Sequence, residues 1–443
     1  MSKNFSRRQF VAGSAAAGIA LSVGSAGQAA DKPAVLGGKP ARKGGSSRSW
    51  PIVQEIDEKA VAEVVHSGRW YRNKSVERFE EEWAKMNGAK HCVAVSSGTS
   101  ALYASLGGLG IGPGDEVITA PYTFVATVNV ALLHYAMPVF VDTDRETFLM
   151  DPRKLEAAIT ERTAAIIPIH VGGSVADMDS ILAIAKKRNI PVVEDACQAH
   201  LAQWRGRNVG NWGTTGCFSF QVSKNLCSGE GGTILTNDDK VVSQCYAFHN
   251  NCRQRKVTGY NFTYVGGRAT NVRMTEFQGA LLLAQMTRLE KNAKTRSENA
   301  DYLTSMLREI PGILPARMYD GCTRNAYHLY MFRYQPEKFA GMPRAKFLQA
   351  LGAEGIHGSG GYGPLNKADF IQNALHTKPY VRVYGKAAVD KWMDRNQCPE
   401  NDKLCEEAVW FSQTTFLGTR SDMDQIAEAI RKIQAHAAAI AKA

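Results

Sequence analysis

Beyond its first 30 residues the chain lacks any apolar run near the roughly 18 residues needed to span a bilayer, so the mature protein reads as soluble with no stable membrane association. Nine cysteines are present, but no C-x-x-C pair and no His/Cys spacing of a zinc site, so no metal is expected. Cys398 and Cys405, seven apart, can pair as a disulfide in an exported protein or stand as separate thiols. Dense Lys/Arg blocks are missing too. Of the net charge of +11, residues 1–30 supply three (Lys3, Arg7, Arg8), leaving +8 spread along the chain. That spread gives nucleic-acid binding little support. Internal repeats are absent, which excludes solenoids and propellers.

What is present is ordinary for a globular protein: 44% hydrophobic and 21% charged residues. At 443 residues the chain exceeds one small core and fits a large domain with a smaller one. The N-terminus departs from that average. Lys3, Arg7 and Arg8 precede a weakly apolar run from Val11 to Val23, small residues follow to Ala30, and no acid occurs before Asp31. This is the layout of a secretory signal, and Ser6-Arg7-Arg8-Gln9-Phe10 resembles the twin-arginine type. Residues 1–30 are therefore expected to direct export as a folded protein, and 31–50, rich in Gly, Pro, Lys and Ser, read as a linker.

From residue 51 the pattern is regular. Helices are expected over Glu55–His66 and Val76–Met86. Short β-branched runs then recur at His91–Ser96, Glu116–Ala120, Pro138–Asp142, Ala164–His170 and Ile190–Ala196, separated by helical stretches. Strands apolar on both faces, alternating with helices, predict an α/β fold with a mostly parallel sheet under helices. Gly216–Phe220 and Gly232–Thr236 lie too close for a crossover helix, which predicts an antiparallel pair. One long helix is expected from Thr275 to about Met306. The large domain then spans 51–306 and a smaller α+β domain 307–443.

Three stretches carry candidate chemistry. At Val93–Leu102 a strand runs through Ser97-Gly98-Thr99-Ser100 into a helix. Free N–H groups there favour an anion such as phosphate, and an ordinary Ser/Thr cap explains the same residues equally well. "VVEDACQAH" puts Asp195 at the carboxyl end of an apolar strand, the edge where ligands bind in open α/β sheets. A protonated ring nitrogen would suit that carboxylate, and so would a salt bridge. "CFSFQVSKNLCSGEGG" sets Lys224 between a strand and a glycine turn. Burial would lower its pKa, and a neutral amine attacks aldehydes to form a Schiff base. A phosphate cradle, a strand-end carboxylate and a lysine together point to pyridoxal 5'-phosphate. Tyr122 and Phe124 in "PYTFVAT" can stack on a flat ring or pack in the core.

"SSGTSAL", "PYTFVATVNVAL", "VEDACQAH", "CFSFQVSKNLCSGEGG" and "NVRMTEFQGALLLAQMTRL" are similar, in this order, to successive motifs of the DegT/DnrJ/StrS sugar aminotransferases. The resemblance covers about residues 50–437, and the closing segment is most similar to the scyllo-inosose aminotransferase branch. It implies an aspartate-aminotransferase-like fold (fold type I) with a mostly parallel seven-stranded sheet. It implies Lys224 as the Schiff-base lysine, Asp195 opposite the pyridine nitrogen, Gln198 close to the ring and Phe124 over its face. Gly98, Thr99 and Ser219, with Ser100 beside them, would hold the phosphate. Where the family has an "RNHG"-like segment this chain reads "FHNNCR", which makes Asn250 the phosphate contact reaching across a homodimer. Tyr362, without the histidine that precedes it in the family, and Arg273 fall on the substrate side.

The implied reaction moves an amino group from Glu or Gln to a keto sugar or keto cyclitol. Two alternatives remain at this point. One is an exported binding or regulatory protein that kept the fold, which the leader favours. The other is a deoxysugar dehydratase, an activity that in this family goes with loss of the lysine retained here as Lys224.

Overall fold

The computed structural model describes residues 32–42, 49–254, 264 and 266–443. The expected leader and residues 31 and 43–48 of the expected linker lie outside the described residues.

The chain opens with helices α1 (Glu55–Ser67) and α2 (Lys74–Asn87). α2 buries Val76, Phe79 and Trp83, one stripe at helical spacing. Trp83 meets Phe218 and Phe220 edge-on, with centroids 5.3 and 5.5 Å away. The alternation that follows is β1 (His91–Val95), α3 (Gly98–Gly108), β2 (Glu116–Thr119), α4 (Ala126–Leu133) and β3 (Met137–Phe140). Then come β4 (Thr163–Ile166), α5 (Met178–Arg188), β5 (Val193–Asp195), β6 (Thr215–Ser219), β7 (Gly232–Thr236) and α6 (Asp239–His249). β1-β7-β6-β5 form one ladder and β3-β2-β4 another. Parallel bridges Ile166–Val192 and Ile169–Asp195 join them between β4 and β5. The result is a seven-stranded sheet in the order β1-β7-β6-β5-β4-β2-β3, parallel except for β7. β6 and β7 are antiparallel, as their spacing predicts.

Because six strands run the same way, the residues following β1, β2, β5 and β6 emerge at one sheet edge. The phosphate-type loop at Ser97, Phe124, Asp195 and Ser219 therefore meet there without being near one another in sequence.

The long helix expected after residue 275 is two: α7 (Glu276–Met286) and α8 (Leu289–Leu307). The break falls at Thr287-Arg288. The Thr287 hydroxyl and Arg288 Nη1 donate back to the Ala284 carbonyl, at 2.6 and 3.2 Å. Arg288 Nη2 reaches Asp57 on α1 at 2.5 Å. A buried ion pair to another helix redirects the chain where periodicity alone runs straight on.

A second sheet, β8 (Ile313–Pro315), β9 (Leu329–Tyr334) and β10 (Ala408–Ser412), is antiparallel in the order β8-β9-β10. It shares a core with α8, α9 (Arg344–Ala353) and α10 (Arg420–Ala435), through residues such as Leu303, Phe332, Phe347, Phe411 and Ile426. The short helices between residues 369 and 398 pack elsewhere. Ile371, Tyr380 and Trp392 cover β3 and α4 at the sheet margin, and Trp392 Nε1 donates to the Pro138 carbonyl at 2.7 Å. Cys398 and Cys405 are buried free thiols.

Residues 32–42, which composition reads as linker, are docked on the second sheet's helices. The Glu354 carboxylate accepts from the backbone of Ala34 and of Ala41, each at 2.7 Å. It also pairs with Lys432 at 3.0 Å, both side chains being buried. Lys432 donates in turn to the Lys39 carbonyl at 2.5 Å. Removing one member of a buried pair leaves the other charge without compensation. Glu354→Ala is therefore expected to destabilise the protein by about 3–5 kcal/mol, read by urea denaturation.

Candidate active site

At the shared strand edge lies a cavity of about 760 Å³. Lys224, Asp195, Gly98, Thr99, Phe124, Gln198, Ser219 and Tyr362 all line it. Eight residues predicted from five separate stretches thus occupy one space. Ser100, Asn250 and Arg273 are not on its wall. The Ser100 hydroxyl is engaged with those of Ser96 and Ser97, both at 2.9 Å. Asn250 Oδ1 accepts from Arg273 Nη1 at 2.7 Å, forming a separate cluster beside the end of β1.

The anion cradle is the start of α3. Ser97 caps the helix, its Oγ accepting from Ser100 N at 3.0 Å. Gly98 lies so close to β6 and the loop after β5 that a Cβ would sit 2.6 Å from Ser219 Cβ and 2.8 Å from Cys197 Sγ. Only glycine leaves that approach open. Thr99 and Ser219 flank it on the cavity wall.

Asp195 is 5% exposed. Its Oδ2 accepts from the Thr127 hydroxyl at 2.7 Å and its Oδ1 from Cys197 N at 3.2 Å. Among the described residues no cation pairs with it. A buried carboxylate without counter-charge is costly, and a cationic ring nitrogen presented from the cavity would supply one. Phe124, 55% exposed, offers an apolar face on the same wall. Gln198 is fixed at both ends: its Oε1 accepts from Gly172 N at 2.7 Å and its Nε2 donates to the Tyr362 hydroxyl at 2.8 Å. Tyr362 packs on Trp410 with centroids 4.5 Å apart. Burial raises its phenol pKa, so the hydroxyl keeps its proton.

Burial lowers the Lys224 pKa from its ordinary value, and the Asp195 and Glu230 carboxylates oppose that shift without cancelling it. Among the described residues Lys224 makes no ion pair. His200, donating to the Ser219 carbonyl at 2.9 Å, is held neutral by burial, with its pKa lowered to about 3. The chemistry available is thus a reactive amine, an unpaired carboxylate, an anion cradle and a flat apolar face around one volume. The residues fit pyridoxal phosphate: Gly98, Thr99 and Ser219 for the phosphate, Asp195 for the ring nitrogen, Phe124 and Gln198 for the ring and Lys224 for the aldehyde. Sequence reasoning missed Trp50, Thr127, Trp410 and Gln413. Thr127 had a signal, one helical turn beyond Thr123 in "TFVAT", and Trp410 and Gln413 lie in the family-like closing segment.

These features define an enzyme that handles amino groups through a lysine-bound cofactor. The chain belongs to the DegT/DnrJ/EryC1/StrS aminotransferase family, whose model matches residues 51–431. Membership implies pyridoxal phosphate as cofactor. The chain is 34% identical, over 425 residues, to the L-glutamine:2-deoxy-scyllo-inosose aminotransferase of Streptoalloteichus tenebrarius, covering 91% of this chain and 97% of that one. It is 38% identical over 309 residues to the spore coat polysaccharide biosynthesis protein SpsC of Bacillus subtilis, covering 68% and 79%. The crystal structure of 3-amino-5-hydroxybenzoic acid synthase superposes with a TM-score of 0.78 at 29% identity, covering 90% of this chain and 100% of that one. The expected aspartate-aminotransferase-like fold and aminotransferase activity are borne out.

Two outcomes follow from this geometry. Gly98→Ala is expected to retain the fold and to weaken pyridoxal phosphate binding at least tenfold, measured by titration of visible absorbance. The second concerns pH. With the folded pKa of Lys224 below 10.5, the unfolded chain binds more protons in the window between the two values. The contribution of this lysine to stability therefore rises with pH there, by up to about 1.4 kcal/mol per unit. Lys224→Met should remove that rise, read as the difference between two urea-denaturation series of cofactor-free protein.

Proposed function

We propose that the protein transfers an amino group from L-glutamine or L-glutamate to a keto cyclitol or keto sugar, as a homodimer acting outside the cytoplasm. The observation that carries the reaction is the shared cavity of Lys224 and Asp195. The donor and acceptor classes rest on the names of relatives such as the inosose aminotransferase. One further feature favours an uncharged polyol acceptor: among the described residues lining the cavity, Lys224 is the only lysine or arginine, and Glu230 adds a carboxylate at the same wall. A diphosphate-linked sugar would find little compensation there.

When bound, pyridoxal phosphate supplies an aldehyde to carry the amino group and a ring to take up electron density. Lys224 would hold that aldehyde, and its Nζ, when free, would move a proton at the reacting carbon, as base and then as acid. Burial, by lowering its pKa, favours the neutral amine that the base role requires. Asp195 would keep the ring nitrogen protonated, and the Thr127 hydroxyl orients its carboxylate. Tyr362, held by Gln198, presents a neutral hydroxyl to the acceptor side. For a homodimer, Asn250 and Arg273 would complete the phosphate or substrate end of the opposite subunit. Export rests on the leader pattern alone, with Arg7 and Arg8 as its twin arginines.

Sodium borohydride added to protein loaded with pyridoxal phosphate should attach the cofactor irreversibly to the peptide containing Lys224, seen as a mass gain. L-Glutamine added first should discharge the visible band and prevent attachment. Attachment without any response to amino donors would favour the binding-protein reading instead. Replacing both Arg7 and Arg8 by lysine should abolish export, followed by fractionation; unaltered export would sink the twin-arginine assignment.

A further inference from the structure

The loop that carries Lys224 is held from behind by residues remote from it in sequence. Within the loop, Lys224 N–H donates to the Gln221 carbonyl at 2.8 Å. The two carbonyls just before the lysine are each bound by a distant side chain. Trp50 Nε1–H donates to Val222 O at 2.6 Å, and Gln413 Nε2–H to Ser223 O over a longer 3.5 Å. On the far side, Asn225 Nδ2 donates to the Ala326 carbonyl at 2.7 Å.

Trp50 and Gln413 meet at Arg296 of α8. The guanidinium carbon lies 5.6 Å from the Trp50 ring centre. Its Nε and Nη2 both donate to Gln413 Oε1, at 2.9 and 2.5 Å. Arg296 is wholly buried, Nη1 has no partner, and among the described residues no carboxylate compensates it. Burial brings its pKa down to about 9. As a device for stability this is poor, because a carboxylate at position 413 or an apolar residue at 296 would serve better. The amide at 413 does what a carboxylate cannot: one end accepts from Arg296 while the other donates to Ser223 O. Trp50 likewise offers an indole N–H to Val222 and a ring face to the cation.

We propose that Trp50, Arg296 and Gln413 form a positioning unit that fixes the Val222 and Ser223 carbonyls and thereby aims the Lys224 amine into the cavity. Trp50 and Gln413 also line that cavity, whereas Arg296 is not on its wall and acts through them. This rests on Lys224 being the reacting amine.

Two conservative variants of the full chain test it. Gln413→Glu keeps both acceptor contacts to Arg296 and adds a counter-charge, but loses the donor to Ser223 O. Trp50→Phe keeps a ring over the guanidinium and loses the N–H to Val222 O. Each is compared with wild type by thermal unfolding, by hydrogen exchange of the peptide spanning residues 221–226, and by the rate of borohydride-trapped attachment of pyridoxal phosphate to Lys224. The expected result is an unfolding temperature for Gln413→Glu equal to or above wild type. Exchange at 222–225 should be at least tenfold faster and trapping at least tenfold slower in both variants. Unchanged exchange and trapping in both, or a lowered unfolding temperature with neither altered, would overturn the proposal. Exchange is read without turnover. A wild type that never transaminates would therefore defeat the proposed reaction while this test still gives its answer.

Discussion

The arrangement turns on a carboxylate, Asp195, buried at the end of a parallel strand and without an ion pair among the described residues. Its neighbour shows what the fold does when a buried carboxylate is purely structural. Glu194 accepts from Gly210 N, Trp212 N and Gly213 N, all at 2.7 Å, and from His170 Nε2 at 3.1 Å. His170 Nδ1 accepts from Ala176 N, so the ring donates from Nε2. Asp195, one residue later and on the other face of the same strand, has one hydroxyl and one amide donor. Adjacent acids on one strand are thus saturated on one side and left short of charge on the other. The shortage faces the cavity.

Around that carboxylate the scaffold keeps other titratable groups silent. His200 and His328 are driven neutral by burial, and the Cys197 and Cys217 thiols are held protonated by the same cause. None competes with Lys224 for a proton near neutrality. The aromatic packing beneath serves this insulation: Trp83, Phe218 and Phe220 surround His200, with ring centroids 5.7 to 6.1 Å from it. Stability and reactivity are therefore linked at one place, because the side chains that fill the space under β6 also set the dielectric in which the lysine sits.

How much of this was legible depends on what each feature needs. Seven strands, their direction and the antiparallel β6–β7 pair follow from local periodicity and loop length, which a sequence displays. So does the sharing of one edge by Gly98, Phe124, Asp195 and Ser219, since parallel strands deliver their carboxyl ends to one side. The break between α7 and α8 was hidden, because it depends on Arg288 finding Asp57 some 230 residues earlier. The docking of residues 32–42 was hidden for the same reason, its anchors being Glu354 and Lys432. Ser100 lies off the cavity wall for a different one: helix N-terminal serines cap or bind anions with the same hydroxyl, and here it bonds to two neighbouring serines. Trp50 lies in the stretch composition reads as linker, and Gln413 lies in the family-like closing segment, which by itself assigns it no chemistry. Only the fold brings them to the lysine loop.

Charge around the cavity completes the account. Among the described residues Lys224 and Arg296 make no ion pairs, and Asp195 and Glu230 are the carboxylates that line the space. The start of α3 adds the positive end of a helix dipole at Gly98. The cavity thus offers an anion cradle at Gly98, an amine at Lys224 and a carboxylate short of charge at Asp195. A molecule satisfying all three would carry an anionic group, an electrophilic carbon and a cationic ring atom, and pyridoxal phosphate carries these three on one ring. Bound there, its pyridinium would answer the shortage of charge at Asp195.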